Sequence, residues 1–311
     1  MSTECVTDSR LEKVLRAGHF AVTGECGPPR GADAEAVRKK CRILKDKADA
    51  FNITDNQTSV VRMSSIASSV IMMQEGMEPV MQMVCRDRNR IAMQSDILGG
   101  AALGIKNMLC LSGDHQRFGD HPQAKNVFDL DSIQLIRMVR QMRDESRFLG
   151  GEEIKTAPKL FIGAAANPFA DPFEIRVPRL AKKVAAGVEF IQTQCIFNIK
   201  KFAEWMKQVV DRGLHEKVFI LGGVTPFKSF GMARYMANNV PGMDVPDELL
   251  QRMKGTPKES QAEEGIKIAV ETIQQLREMK GIAGVHIMAI EWEEKVGEIA
   301  ERAGLLPRPS V

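Results

Sequence analysis

Aromatic side chains are scarce in this sequence: they make up 5% of 311 residues, with one tyrosine and two tryptophans. Nucleic-acid binding through stacked bases needs several exposed rings, so that class of function has little to build on. An excess of one charge is also missing. The 43 basic and 40 acidic residues leave a net charge of +3, too little for an electrostatic footprint on nucleic acid or an anionic membrane. No apolar run approaches the roughly 20 residues that cross a bilayer, and the opening MSTECVTDSRLEKVLRAG lacks the apolar core of a secretory signal. The six cysteines, Cys5, Cys26, Cys41, Cys85, Cys110 and Cys195, include no C-x-x-C pair. That disfavours a structural zinc or an iron–sulfur cluster held by this chain. Several sit within apolar runs, where a thiol behaves as a small hydrophobe. These absences lead to the expectation of a cytoplasmic chain with no membrane or nucleic-acid partner and no bound metal.

What the sequence does have is alternation. Near-continuous apolar runs span His19–Glu25, Ala48–Asp55, Pro79–Asp87, Ile105–Asp114, Lys159–Asn167, Val188–Phe197, Lys217–Val224 and Gly284–Ile290. Runs of this kind suit parallel strands buried on both faces. Amphipathic stretches lie between them. In NIKKFAEWMKQVVDRG, the residues Ile199, Phe202, Trp205, Met206, Val209 and Val210 form one apolar stripe, with Asn198 as a start signal and Gly213 as a stop. Gly18, Gly104, Gly187 and Gly281 hold the same stop position elsewhere. The G-x-G-x-x-G fingerprint of an open dinucleotide-binding sheet is missing after the first strand. The expectation is a single (β/α)8 barrel over residues 1–311, with the site at the C-terminal ends of its strands. Two long connections, His115–Asp131 and Thr225–Lys280, lie at that end. The second carries extra helices such as DELLQRMKG.

The strand ends then nominate residues. Glu25 closes an apolar run before the rigid Pro28–Pro29 pair, and a carboxyl against apolar walls has the raised pKa of a general acid. Asp114 follows Gly113, which permits close approach, and its carboxylate suits the N–H edge of an amidine-like heterocycle. Ala164–Ala166 leave room for a flat ring, or for close helix packing. Gln192 and Gln194 face one way, and a buried glutamine needs a partner. Arg86, Arg88 and Arg90 suit a phosphate, or a solvated face. His115, Asp120 and His121 make only a weak metal pattern.

Read in order, the same strand ends resemble the methylenetetrahydrofolate reductase family from Phe20 to Pro307. The carriers are TGECGPP, NITD, LSGD, AAGVEFIQTQCIFN and GGVTPFKSF. The resemblance implies reduction of 5,10-methylenetetrahydrofolate to 5-methyltetrahydrofolate through a flavin, FAD or FMN. It makes Glu25 the general acid, with Asp114 and Gln194 on the pterin and Phe230 beside the substrate. It puts Thr54, Gln82, Ser112, Gly113, Asp114, Phe128, Ala165, Asn167 and Lys183 at the flavin. The chain departs from the family pattern at several points. Cys26–Gly27 replace two phenylalanines, Gln82 and Asn167 replace histidines, Gly163–Ala165 replace Tyr-Pro-Glu, Arg176 replaces an aspartate, and HIMAIE replaces HFYTLN. The ECGPP and CRDRN variants look like the enzymes of anaerobes, which implies either NAD(P)H or an iron–sulfur and zinc partner subunit as electron source, in an oligomer or hetero-complex. A folate-binding barrel methyltransferase and a non-catalytic scaffold subunit are the rival readings.

Overall fold

The structure, a computed structural model, describes residues 4–311. Eight parallel strands close into a barrel in sequence order: β1 Ala21–Cys26, β2 Ala50–Ile53, β3 Pro79–Val84, β4 Asn107–Leu111, β5 Phe161–Ala166, β6 Phe190–Cys195, β7 Phe219–Val224 and β8 Ile282–Ile287. An N-terminal helix, α1 (Arg10–Arg16), precedes them. The outer ring is α2 (Ala34–Leu44), α3 (Ser65–Gln74), α4 (Arg90–Ala102), α5 (Ser132–Asp144), α6 (Arg176–Ala186) and α7 (Ile199–Asp211). It is completed by α8 (Phe230–Asn239), α9 (Asp247–Gly255), α10 (Gln261–Arg277) and α11 (Glu294–Arg302). Closure satisfies every strand edge, which an open sheet leaves bare.

Local chemistry sets the boundaries. Asp131 caps α5 in a reciprocal capping box with Gln134, and Asn198 caps α7 by accepting from the Lys201 N–H. Gly187 ends α6 at φ 110°, a conformation that a Cβ would strain. The insertion after β7 holds α8, α9 and α10, and α9 coincides with the DELLQRMKG segment. Strand β8 starts two residues earlier than its apolar run, because Ile282 already pairs with Ile220. Of the six cysteines, all but Cys5 are buried.

Two cores result. The larger one lies between the strands and the helix ring. The smaller one fills the bottom of the barrel, where Leu11, Val14 and Leu15 of α1 meet the inward residues Ala21, Ala50, Val80, Leu109, Phe161, Phe190, Phe219 and Leu221. Phe161 and Phe190 stack with centroids 5.0 Å apart. Gly163 makes room for this, since a Cβ there would stand 2.2 Å from the Phe190 ring.

Candidate functional site

Side chains alternate along a strand, so residues two apart share the barrel interior. Above Ala21, Ala50 and Phe190 of the bottom layer come Thr23, Asn52 and Gln192, with His286 from β8. Gln192 Nε2 donates to Thr23 Oγ1 (3.1 Å) and to Asn52 Oδ1 (3.0 Å), and Asn52 Nδ2 donates back to Gln192 Oε1 at 2.6 Å. Thr23 Oγ1 lies 2.9 Å from His286 Nδ1. Burial pulls the His286 pKa down to about 4, so this ring is neutral at neutral pH. The partner that a buried Gln192 requires is thus supplied by two other strands. Sequence reading nominated Gln192, but not Thr23 or Asn52.

Two residues further up come Glu25, Thr54 and Gln194. A cavity of about 180 Å³ opens here, bordered by Glu25, Gln82, Ala165, Asn167, Gln194 and Met288 above the polar floor. Larger surface hollows exist, including one of about 750 Å³ beside Ile199 and Glu271, but that one contains no residue of the strand ends. Glu25 is half-buried. Burial, aided by nearby Glu293, pushes its carboxyl up to about 7, against the opposing pull of a Gln57 hydrogen bond, Lys40 and Arg62. Lys40 is itself taken up by an ion pair with Glu293 and by the Gly27 carbonyl.

A flat, polar cofactor fits the groups on the β2–β6 side. Thr54 is 1% exposed and its Oγ1 has no partner, which is costly unless a ligand supplies one. Gln82 borders the cavity and makes no side-chain hydrogen bond among the described residues. Gly113 stands at φ 90°, with the Val84 and Arg86 Cβ atoms about 3 Å from where its own Cβ would lie, so only glycine brings the backbone this close to the rim. Ser112 Oγ accepts from the Ser132 N–H. Phe128 is exposed and strained at φ 41°. Asn167 uses Oδ1 to cap a turn at Phe169 and Ala170. Lys183 donates to the Ala165 carbonyl. Burial and nearby Arg179 bring its ammonium down to about 8.

The structure gathers Glu25, Gln82, Ala165, Asn167 and Gln194 around one cavity. Thr54, Ser112, Gly113, Phe128 and Lys183 lie outside its immediate lining. Asp114 is exposed on the rim with a carboxylate that makes no hydrogen bond or ion pair among the described residues. Phe230 opens α8 and packs on the apolar cluster of Phe197 and Phe227, with Arg234 over its ring. The three arginines after β3 are engaged within the chain. Arg86 binds Asp87, Arg88 binds Asp55 and Asp96, and Arg90 binds Asp129. They form no free phosphate cradle: Arg86 is buried and Arg88 half-buried, while Arg90 is exposed to solvent. Asp120 pairs with Arg30, and His121 with Asp120.

Known proteins resemble the chain over most of its length. The family described as methylenetetrahydrofolate reductase matches residues 10–304. Methylenetetrahydrofolate reductase 2 of Schizosaccharomyces pombe is 23% identical over 240 residues, 73% of this chain and 36% of that protein. The probable methylenetetrahydrofolate reductase (NADPH) of Caenorhabditis elegans is 21% identical over 256 residues, 80% of this chain and again 36% of that protein. The chain therefore spans little more than a third of the length of these relatives. Among solved structures, an uncharacterized Clostridium thermocellum protein that binds two copies of 5-methyl-5,6,7,8-tetrahydrofolic acid superposes with a TM-score of 0.66. Its sequence identity is 14%, over 96% of this chain and 99% of that one. No helix among the described residues is long and apolar enough to cross a membrane. With the match running from α1 to the residues just after α11, the chain belongs to the methylenetetrahydrofolate reductase family.

Proposed function

We propose that this chain reduces 5,10-methylenetetrahydrofolate to 5-methyltetrahydrofolate, using a bound FAD or FMN. The observation that carries this reading is Glu25, a carboxyl pushed up to about 7 by burial, lining the strand-end cavity above its polar floor. Such a group is protonated in a large share of molecules at neutral pH and can release that proton in the reaction. Glu25 donates that proton to N10 of the imidazolidine ring. The bond from the methylene carbon to N10 breaks, its electron pair stays on N10, and the carbon remains as an iminium on N5. When bound, a reduced flavin supplies hydride to that carbon, giving the methyl group.

The other residues orient. Asp114 accepts N–H bonds from the pterin edge, Gln194 presents its amide to the same ring, and Phe230 borders the substrate. Thr54, Gln82, Ser112, Gly113, Phe128, Ala165, Asn167 and Lys183 would hold the flavin. Folate at this mouth is supported by the family match and by the folate-binding barrel that shares the fold. We place the enzyme in the cytoplasm as one catalytic domain, drawing electrons from NAD(P)H or from an iron–sulfur and zinc partner subunit within an oligomer or hetero-complex.

Anaerobic reconstitution with FAD or FMN, reduction, and mixing with methylenetetrahydrofolate tests this. Return of the oxidised flavin band together with 5-methyltetrahydrofolate is the expected outcome. A flavin that binds yet stays reduced rejects the substrate. A colourless protein turns the reading toward a folate methyltransferase or a scaffold subunit.

A further inference from the structure

The loop after β2 is unusual in its backbone. Asn56, Thr58 and Ser59 all have positive φ, at 43°, 54° and 61°, and none is glycine. Left-handed conformations are unfavourable for such residues, most of all for branched Thr58, and persist only where the surroundings enforce them. The enforcement is visible. Asp55, 2% exposed, accepts from the Val84 N–H and from Arg88. Arg86, 3% exposed, donates to Ser59 Oγ (2.8 Å), to the Asn56 carbonyl (3.2 Å) and to the Asp114 carbonyl (3.1 Å). Asn56 Oδ1 accepts from the Arg62 N–H, and Arg62 donates to the Pro28 carbonyl.

Gln57 sits inside this forced turn, flanked by Asn56 and Thr58. Its Nε2 donates to Glu25 Oε1 at 3.3 Å, the one side-chain hydrogen bond that Glu25 makes among the described residues. We infer that Gln57 is the positioning residue for Glu25: it engages Oε1 and leaves Oε2 to carry the proton toward the substrate. This rests on the proposed reductase reading. The donor also favours the ionised carboxylate, so it opposes the effect of burial. Other groups facing Glu25 are Glu293 before α11, Lys40 on α2, Arg62 on the same loop and Cys195 on β6, with His286 across the cavity. None of them hydrogen-bonds to its carboxyl.

The test is Gln57→Leu, with Gln57→Asn as a second variant that keeps the amide but shortens its reach. The carboxyl stretch of Glu25 is read in full-length protein by infrared difference against Glu25→Gln and titrated with pH. This readout needs neither flavin nor folate, so it stands even if the reductase reading fails. Both variants should move the Glu25 titration upward by about one pH unit, and the pH limb of folate-dependent flavin reoxidation should move with it. A fall in rate with the titration unmoved would make Gln57 merely structural and overturn the inference, as would two variants that match the wild type. Should Gln57→Leu fail to fold, Gln57→Asn alone decides between the same results.

Discussion

The two ends of the barrel use similar side chains to opposite purposes. At the bottom, Asp49 is wholly buried and fully engaged by the Val22 N–H, Arg308 and Arg10. Glu78 accepts from Ser9, Asn107 and the Arg10 and Leu11 N–H groups. Glu12 accepts from Val6, Thr7 and Arg16. At the mouth, Glu25 has one long hydrogen bond and Thr54 Oγ1 has none. The bottom satisfies its polar groups inside the chain, and under the proposed function those left open at the mouth are the ones a ligand would engage.

Substitutions at the two ends should separate these purposes. The largest effect is expected from Glu25→Gln. Reduction of the bound flavin by its donor should persist, while folate-dependent reoxidation in stopped flow falls by about 10²–10⁴, with the melting temperature held or raised. Next comes Asp49→Ala at the bottom. It strands the Arg308 guanidinium and the Val22 N–H, and urea unfolding should register a loss of about 3–5 kcal/mol. Flavin and folate affinity of the folded fraction should not change. The smallest effect is Thr54→Val. The lost hydroxyl has no partner among the described residues, so stability without flavin should stay within about 0.5 kcal/mol. Flavin affinity, read by fluorescence titration, should weaken by about five- to tenfold. A reversal, with Thr54→Val destabilising the flavin-free protein and leaving flavin affinity intact, would erase the contrast between the ends.

The eight strands and the α9 insertion were legible because apolar runs and helix periodicity are local signals. Glu25 was legible as the polar end of an apolar run, and Gln194 as the residue two beyond Gln192 on the same strand face. What the sequence hides is long-range. Gln192 finds Asn52 140 residues away, and Arg88 and Arg90 find Asp55 and Asp129 33 and 39 residues away. The forced turn around Gln57 is hidden for another reason. Asn56, Thr58 and Ser59 are not glycines, so nothing local announces left-handed backbone, and only the buried Arg86 and Asp55 impose it. Phe230 shows the limit of the resemblance: the motif puts it beside the substrate in the connection after β7, while its place at the start of α8 and its packing on Phe197 and Phe227 emerge only in three dimensions.

The sharpest test is the pH dependence of flavin reoxidation by methylenetetrahydrofolate in the wild-type protein, followed by stopped flow from pH 5.5 to 9. A carboxyl raised to about 7 is protonated below that value and loses its proton above it. The rate should therefore be high on the acid side and fall as pH rises through about 7, with that limb absent in Glu25→Gln. A wild-type rate that is flat across this range, or that rises with pH, would contradict a proton held by Glu25 at the mouth of the barrel.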